Sequence, residues 1–212
     1  MSFEFKLLKP FGPSVLKVKI PEKILIDLNK YIDNVVENNL KSNELDHGHK
    51  LIGDVTQEFK LDHEFSKKVG WLDFLVGCTS KWIEVALGRK IGKFEMQNSW
   101  VVRQFENEYN PVHHHSGHIS GAGFLKLPNT FGEYVQKKNK GYLGGTLNLI
   151  HGSQQFLSNS VYTIKPEVGD FYFFPNYLMH TVYPFTDTDE ERRSISFNAF
   201  IDKEIYDVYA DN

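Results

Sequence analysis

The amino-acid sequence predicts a mainly β protein with helices packed on one side, and two observations carry that expectation. Apolar residues recur with helical period up to about residue 93 and with period two from Phe94 to Ile201. The seven strand-like segments of the second half follow one another without intervening helices, which suggests an antiparallel sandwich or barrel rather than a doubly wound sheet.

The elements follow in order. Pro21 opens a helix whose stripe is Leu25, Leu28, Ile32, Val35, Val36 and Leu40, and the polar run from Glu37 to His49 lets it fade. A short extended segment is expected over Leu51 to Leu61. A second helix spans about Glu64 to Leu87, with Leu72, Leu75, Val76, Thr79, Trp82, Ile83 and Ala86 inward and Gly88 as its stop. Gly70 and Gly77 both weaken it, each costing up to ~1 kcal/mol against Ala. The strands expected are Phe94–Phe105, Ile119–Leu127, Gly145–His151, Ser160–Pro166, Asp170–Pro175, Met179–Phe185 and Arg192–Ile201, bounded by Gly, Pro, Asn and Asp. Gly169 is placed for a positive φ in the Pro166–Asp170 turn, and the Lys-rich insertion Pro128 to Gly141 reads as a surface loop. One domain over residues 1–212 is expected, a helical buttress to about residue 93 and a β core over about 94–201.

Composition narrows the function classes. Net charge is −3 and the four arginines are Arg89, Arg103, Arg192 and Arg193, which argues against nucleic-acid binding and leaves no polybasic membrane patch. The single cysteine, Cys78, excludes a disulfide framework and any Cys-based zinc or iron–sulfur site. No apolar run approaches the roughly 18 residues of a membrane span, and MSFEFKLLKPFGPS is unlike a signal peptide, so a cytoplasmic protein is expected.

Nine histidines stand out, because His113, His114, His115 and His118 fall within six positions. In an extended chain His113 and His115 share a face and can bind one metal ion, with His114 opposite. A surface turn is the bland alternative, as it is for His47 and His49 in their polar connection. His180 stands at another strand entrance. Beyond it Arg192, Ser194, Ser196 and Asn198 alternate with Arg193, Ile195 and Phe197. On a solvent face that polar row means little; facing a barrel interior, Arg192 with Ser194 forms a carboxylate binder.

These segments together resemble the Fe(II)- and 2-oxoglutarate-dependent oxygenases, and within them the small phage and marine-bacterial members. The matching elements are Asn110 to His115, Ser120-Gly121, Gly144-Gly145, Pro166 to Asp170, Phe174-Pro175, His180 to Val182 and Arg192 to Asn198, in unbroken order. The resemblance implies a double-stranded β-helix, or jelly roll, with helices on one sheet. It implies Fe(II) on His113 and His180, with 2-oxoglutarate held by Arg192 and Ser194, and Arg193 pointing away as a surface charge. It also implies oxidative decarboxylation to succinate and CO2 coupled to hydroxylation of a small-molecule or peptide substrate.

One position departs from the superfamily pattern: its usual Asp or Glu ligand is here His115. His115 is the expected third ligand; His118, Glu106, Glu108 or no third protein ligand are the alternatives, and zinc competes for such a site. Two other readings stay open, a non-catalytic jelly-roll binding module and a three-histidine cupin-type metal enzyme.

Overall fold

A computed structural model describes residues 4–8, 12–46, 48, 52–133 and 141–208. His47, His49 and the middle of the Pro128–Gly141 insertion lie outside them. Among the described residues the order is β1 (Phe5–Leu8), β2 (Val15–Lys19), α1 (Glu22–Glu37), α2 (Asn39–Leu45), β3 (Gln57–Lys60), α3 (His63–Lys68), α4 (Trp71–Leu87) and β4 (Phe94–Gln104). Then follow β5 (Asn110–His113), β6 (Ile119–Lys126), β7 (Leu147–Ile150), β8 (Val161–Ile164), β9 (Asp170–Pro175), β10 (Met179–Val182), β11 (Arg192–Ile201) and α5 (Lys203–Tyr206).

All the strand pairings are antiparallel and form two sheets. The larger has order β1-β2-β9-β6-β11-β4-β3, the smaller β5-β10-β7-β8. Two apolar clusters match two layers of packing. In the first, α1 and α4 lay Leu28, Ile32, Trp71, Phe74 and Trp82 on Val101, Phe171, Phe173, Ile195 and Phe197 of the larger sheet. In the second, Phe124, Tyr172 and Phe174 of that sheet meet Leu147, Leu149 and Val182 of the smaller one. The jelly-roll architecture and helices on one sheet are therefore as expected.

Several local expectations change. Helix α1 ends at Glu37, and Asn38 caps a separate α2 by accepting from the backbone N–H of Leu40 and Lys41. Leu40 is consequently exposed, and Ile24 rather than Leu25 completes the buried stripe. The second helix is two, α3 and α4, because Gly70 adopts φ +80 between them. Its inward face also takes in Trp71, Phe74 and Cys78, while Leu72, Val76 and Ala86 are only half-buried. Strands β1 and β2 carried no recognised signal. They complete one end of the large sheet, where β2 pairs with β9 from Leu16 against Phe173 to Lys19 against Asp170. No helix among the described residues is long and apolar enough to cross a membrane.

Candidate metal and anion site

The inter-sheet space opens into a cavity of about 200 Å³ lined by residues of both sheets. Strands β5 and β10 pair with His113 directly opposite His180, which places both imidazoles on the same face of the small sheet. His115 arrives differently from the expected strand alternation. Strand β5 stops at His113, and the chain then runs in an irregular turn. His115 is held there by its backbone, whose N–H donates to the Asn176 carbonyl at 3.0 Å and whose carbonyl accepts from Asn176 Nδ2 at 3.2 Å. The Trp100 indole packs edge-on against its ring, at 5.5 Å between centroids.

One ligand nitrogen from each of His113, His115 and His180 lies within 4.8 Å of the others, and His180 Nε2 is 3.0 Å from His115 Nε2. Two of the rings are oriented by their other nitrogen. Nδ1–H of His113 donates to the Pro111 carbonyl at 2.7 Å and Nδ1–H of His180 to the Leu178 carbonyl at 2.9 Å. In a neutral imidazole that tautomer leaves the Nε2 lone pair free, the arrangement metal-binding histidines adopt. Burial, followed by repulsion from the neighbouring imidazoles, also pulls His115 well below its ordinary pKa, and the same causes bring His180 down to about 3. Burial lowers His113 as well. Neutral, convergent imidazoles fit a borderline divalent ion such as Fe(II) or Zn(II).

The other candidates do not join the three ligands. His114 is exposed at the cavity's margin and is not one of the converging imidazoles. His118 stacks on Tyr206 with centroids 3.9 Å apart and bonds through Nδ1 to the backbone of Ile201. Glu106 accepts from the Asp187 N–H, and Glu108 from Thr56 and the Phe105 N–H.

On the large sheet, the polar row of β11 faces inward: Arg192, Ser194 and Asn198 are buried. Arg192 Nε donates to the Gly145 carbonyl at 3.0 Å, and Nη1 reaches Gln104 Oε1 and Ser194 Oγ, each at 3.2 Å. Its guanidinium lies over the Phe124 ring. Every one of these acceptors is neutral, and no carboxylate pairs with Arg192 among the described residues. Desolvation accordingly pulls its pKa down. Gly145, at φ +68, has no room for a side chain: a Cβ would sit 2.3 Å from the Phe131 ring.

Arg193 overturns an expectation. It does point away from the cavity, but it is buried rather than a surface charge. It bonds Glu191 at 2.6 Å, Asp33 of α1 at 2.7 Å and Asn29 at 3.0 Å, because α1 covers that face of β11. Two further residues had no sequence signal: Gln104, which steadies Arg192, and Glu58 of β3, which lines the cavity. Trp100 faces the cavity, and Asn110 lines it.

One jelly-roll cavity thus brings together three imidazoles that could hold a metal ion and a buried arginine with no carboxylate partner among the described residues. Residues 98–198, slightly under half of the chain, match the family described as “Putative 2OG-Fe(II) oxygenase”. A prolyl-4-hydroxylase from Pseudomonas putida is similar in structure, with a TM-score of 0.58 at 14% identity, over 87% of this chain and 91% of that one. A viral collagen prolyl hydroxylase from Paramecium bursaria Chlorella virus-1, solved with 2-oxoglutarate, gives 0.51 at 15% identity, over 87% and 94%. The non-heme α-ketoglutarate-dependent epimerase SnoN of nogalamycin biosynthesis gives 0.55 at 13%, over 86% and 74%. No curated protein matches the chain. The family match and the shared fold support the Fe(II)/2-oxoglutarate oxygenase superfamily that the motif order resembles, and that family implies Fe(II) and 2-oxoglutarate.

Proposed function

We propose that the chain is an Fe(II)- and 2-oxoglutarate-dependent dioxygenase that hydroxylates its substrate, with succinate and CO2 as coproducts. In this reading His113, His115 and His180 hold the metal, and Arg192 with Ser194 takes the distal carboxylate of 2-oxoglutarate. The observation that carries it is the pairing, on one cavity, of three converging imidazoles, two of them held with Nε2 free, and a buried guanidinium with no carboxylate partner among the described residues. When bound, iron supplies oxygen activation coupled to oxidative decarboxylation.

The chain's own residues then have defined tasks. Leu178 and Pro111 carbonyls keep the His180 and His113 rings in the metal-binding tautomer. Gly145, Gln104 and Ser194 hold Arg192 extended before any anion arrives, which lowers the ordering cost of cosubstrate binding. Phe124, Leu147 and Val182 close the cavity walls with apolar surface and exclude water. Residues 1–212 function in this reading as one oxygenase domain in the cytoplasm, the helices buttressing the sheet that carries Arg192.

The test is anaerobic addition of Fe(II) and 2-oxoglutarate, followed by the weak visible charge-transfer band and, in air, by succinate formation. His180→Ala removes metal binding, and Arg192→Ala weakens 2-oxoglutarate binding by at least a hundredfold, the loss of a buried charge-assisted contact of about 3 kcal/mol. Metal binding without 2-oxoglutarate binding would support the three-histidine cupin-type enzyme instead, and neither would support a non-catalytic binding module.

A further inference from the structure

Glu58 is the buried acid that the proposed reaction does not use. It is 2% exposed, lines the same cavity, and its Oε2 has no hydrogen-bond partner. The other deeply buried acids among the described residues are paired. Asp170 meets Lys17 and Lys19, each at 2.6 Å, and Glu191 meets Arg103, Arg193 and Lys126. Glu58 has no ion pair among the described residues, and its carboxylate neighbours Asp46 and Glu108 have none either. An orphaned carboxyl in such a place costs stability, which a ligand restores by supplying the missing donor.

Position says which part of the cavity this is. Glu58 of β3 lies opposite Val102 of β4, and Val102 lies opposite Ser194 of β11. That puts Glu58 two strand spacings, about 10 Å, from the residue that steadies Arg192. The cavity thus has a cationic end on β11 and an acidic end at the sheet edge. Over the acidic end runs the segment Ile52 to Asp54, pinned where Asp54 N–H donates to the Tyr109 carbonyl at 2.9 Å. Gly53 passes so close that a Cβ there would meet Asn110 Oδ1 at 2.2 Å and Glu58 Oε1 at 3.1 Å. Exposed Ile52 lines the cavity at this end too, so this end of the cavity reaches the surface beside Glu58.

Resting on the oxygenase reading, we propose that Glu58 is a specificity residue and that the substrate carries a cationic ammonium or guanidinium group, which docks on its carboxylate. A dianionic cosubstrate belongs at the arginine end, and a cation at the end lined by Glu58, where the neighbouring Asp46 and Glu108 add negative charge and no counterion stands among the described residues. Burial first, then Asp46 and Glu108, push the Glu58 pKa up to about 8, so an arriving cation displaces the proton and leaves an ion pair.

The metal-free chain is titrated with butylguanidinium and with its neutral isostere butylurea, followed by NMR at the Trp100 indole. Butylguanidinium binds at least tenfold more tightly than butylurea, and Glu58→Gln, its fold checked by its melting curve, removes that preference. Equal affinities, no butylguanidinium binding, or a preference that survives in Glu58→Gln each overturns the proposal. The comparison of the two probes on the unmodified chain needs no variant to fold. Because no metal or cosubstrate is present, a missing charge-transfer band would count against the oxygenase reading alone.

Discussion

His113, His115 and His180 show how burial sets protonation at the scale of one side chain. Desolvation first, then repulsion from neighbouring imidazoles, lowers all three pKa values in the fold, from an ordinary 6.5. The unfolded chain therefore takes up protons below about pH 6.5 that the fold refuses, and stability falls as pH drops through that range. Urea unfolding of the metal-free chain between pH 7 and 4 measures the slope, which His115→Asn flattens. Glu58 works in the opposite direction. The fold keeps it neutral up to about pH 8, whereas the unfolded chain ionises it near 4.5, so its burial costs more as pH rises between those values. Glu58→Gln is accordingly more stable than the parent chain at pH 8, by on the order of 2 kcal/mol, read from the denaturation midpoint.

Elements separate two glycines that looked alike in the sequence. Gly77 lies inside α4 with nothing within 4 Å of where a Cβ would stand, so Gly77→Ala raises stability by up to about 1 kcal/mol. Gly70 holds φ +80 between α3 and α4, and a Cβ there meets only Ile24 at an ordinary 3.7 Å. Its requirement is conformational rather than steric, and Gly70→Ala costs about 1–2 kcal/mol, both changes read as shifts in melting temperature. Period and punctuation in the sequence located the strands of the β half to within a few residues, except the four-residue β5, because half-buried strands alternate and end at turn residues. They missed β1 and β2, short segments made into strands because β2 pairs with β9, some 150 residues away, and β1 pairs with β2.

Across the whole molecule, the helical layer and the cavity meet through β11. Arg192 faces the cavity, while its neighbour Arg193 reaches the other way to Asp33 and Asn29 of α1 and to Glu191. Burial alone would raise the Glu191 carboxyl, but hydrogen bonds from Arg103 and the charges of Arg193 and Lys126 hold it below its usual range. Arg193→Ala leaves Glu191 short of one buried partner and frees α1 from the strand. It costs about 3–5 kcal/mol in urea unfolding. Because β11 then loses its backing, 2-oxoglutarate affinity falls in the same variant although Arg193 is remote from the cavity.

The sequence by itself determined the fold class and the histidines and arginine worth following, since periodicity and ordered motifs are properties of neighbouring residues. It could not decide how His115 reaches the cavity, because the turn that carries it is held by Asn176, some 60 positions further on. Nor could it distinguish Glu58 from the other acids of the chain. Whether a carboxyl is solvated, paired or stranded depends on what packs around it, and only the tertiary structure places Glu58 in a cavity without a counterion among the described residues.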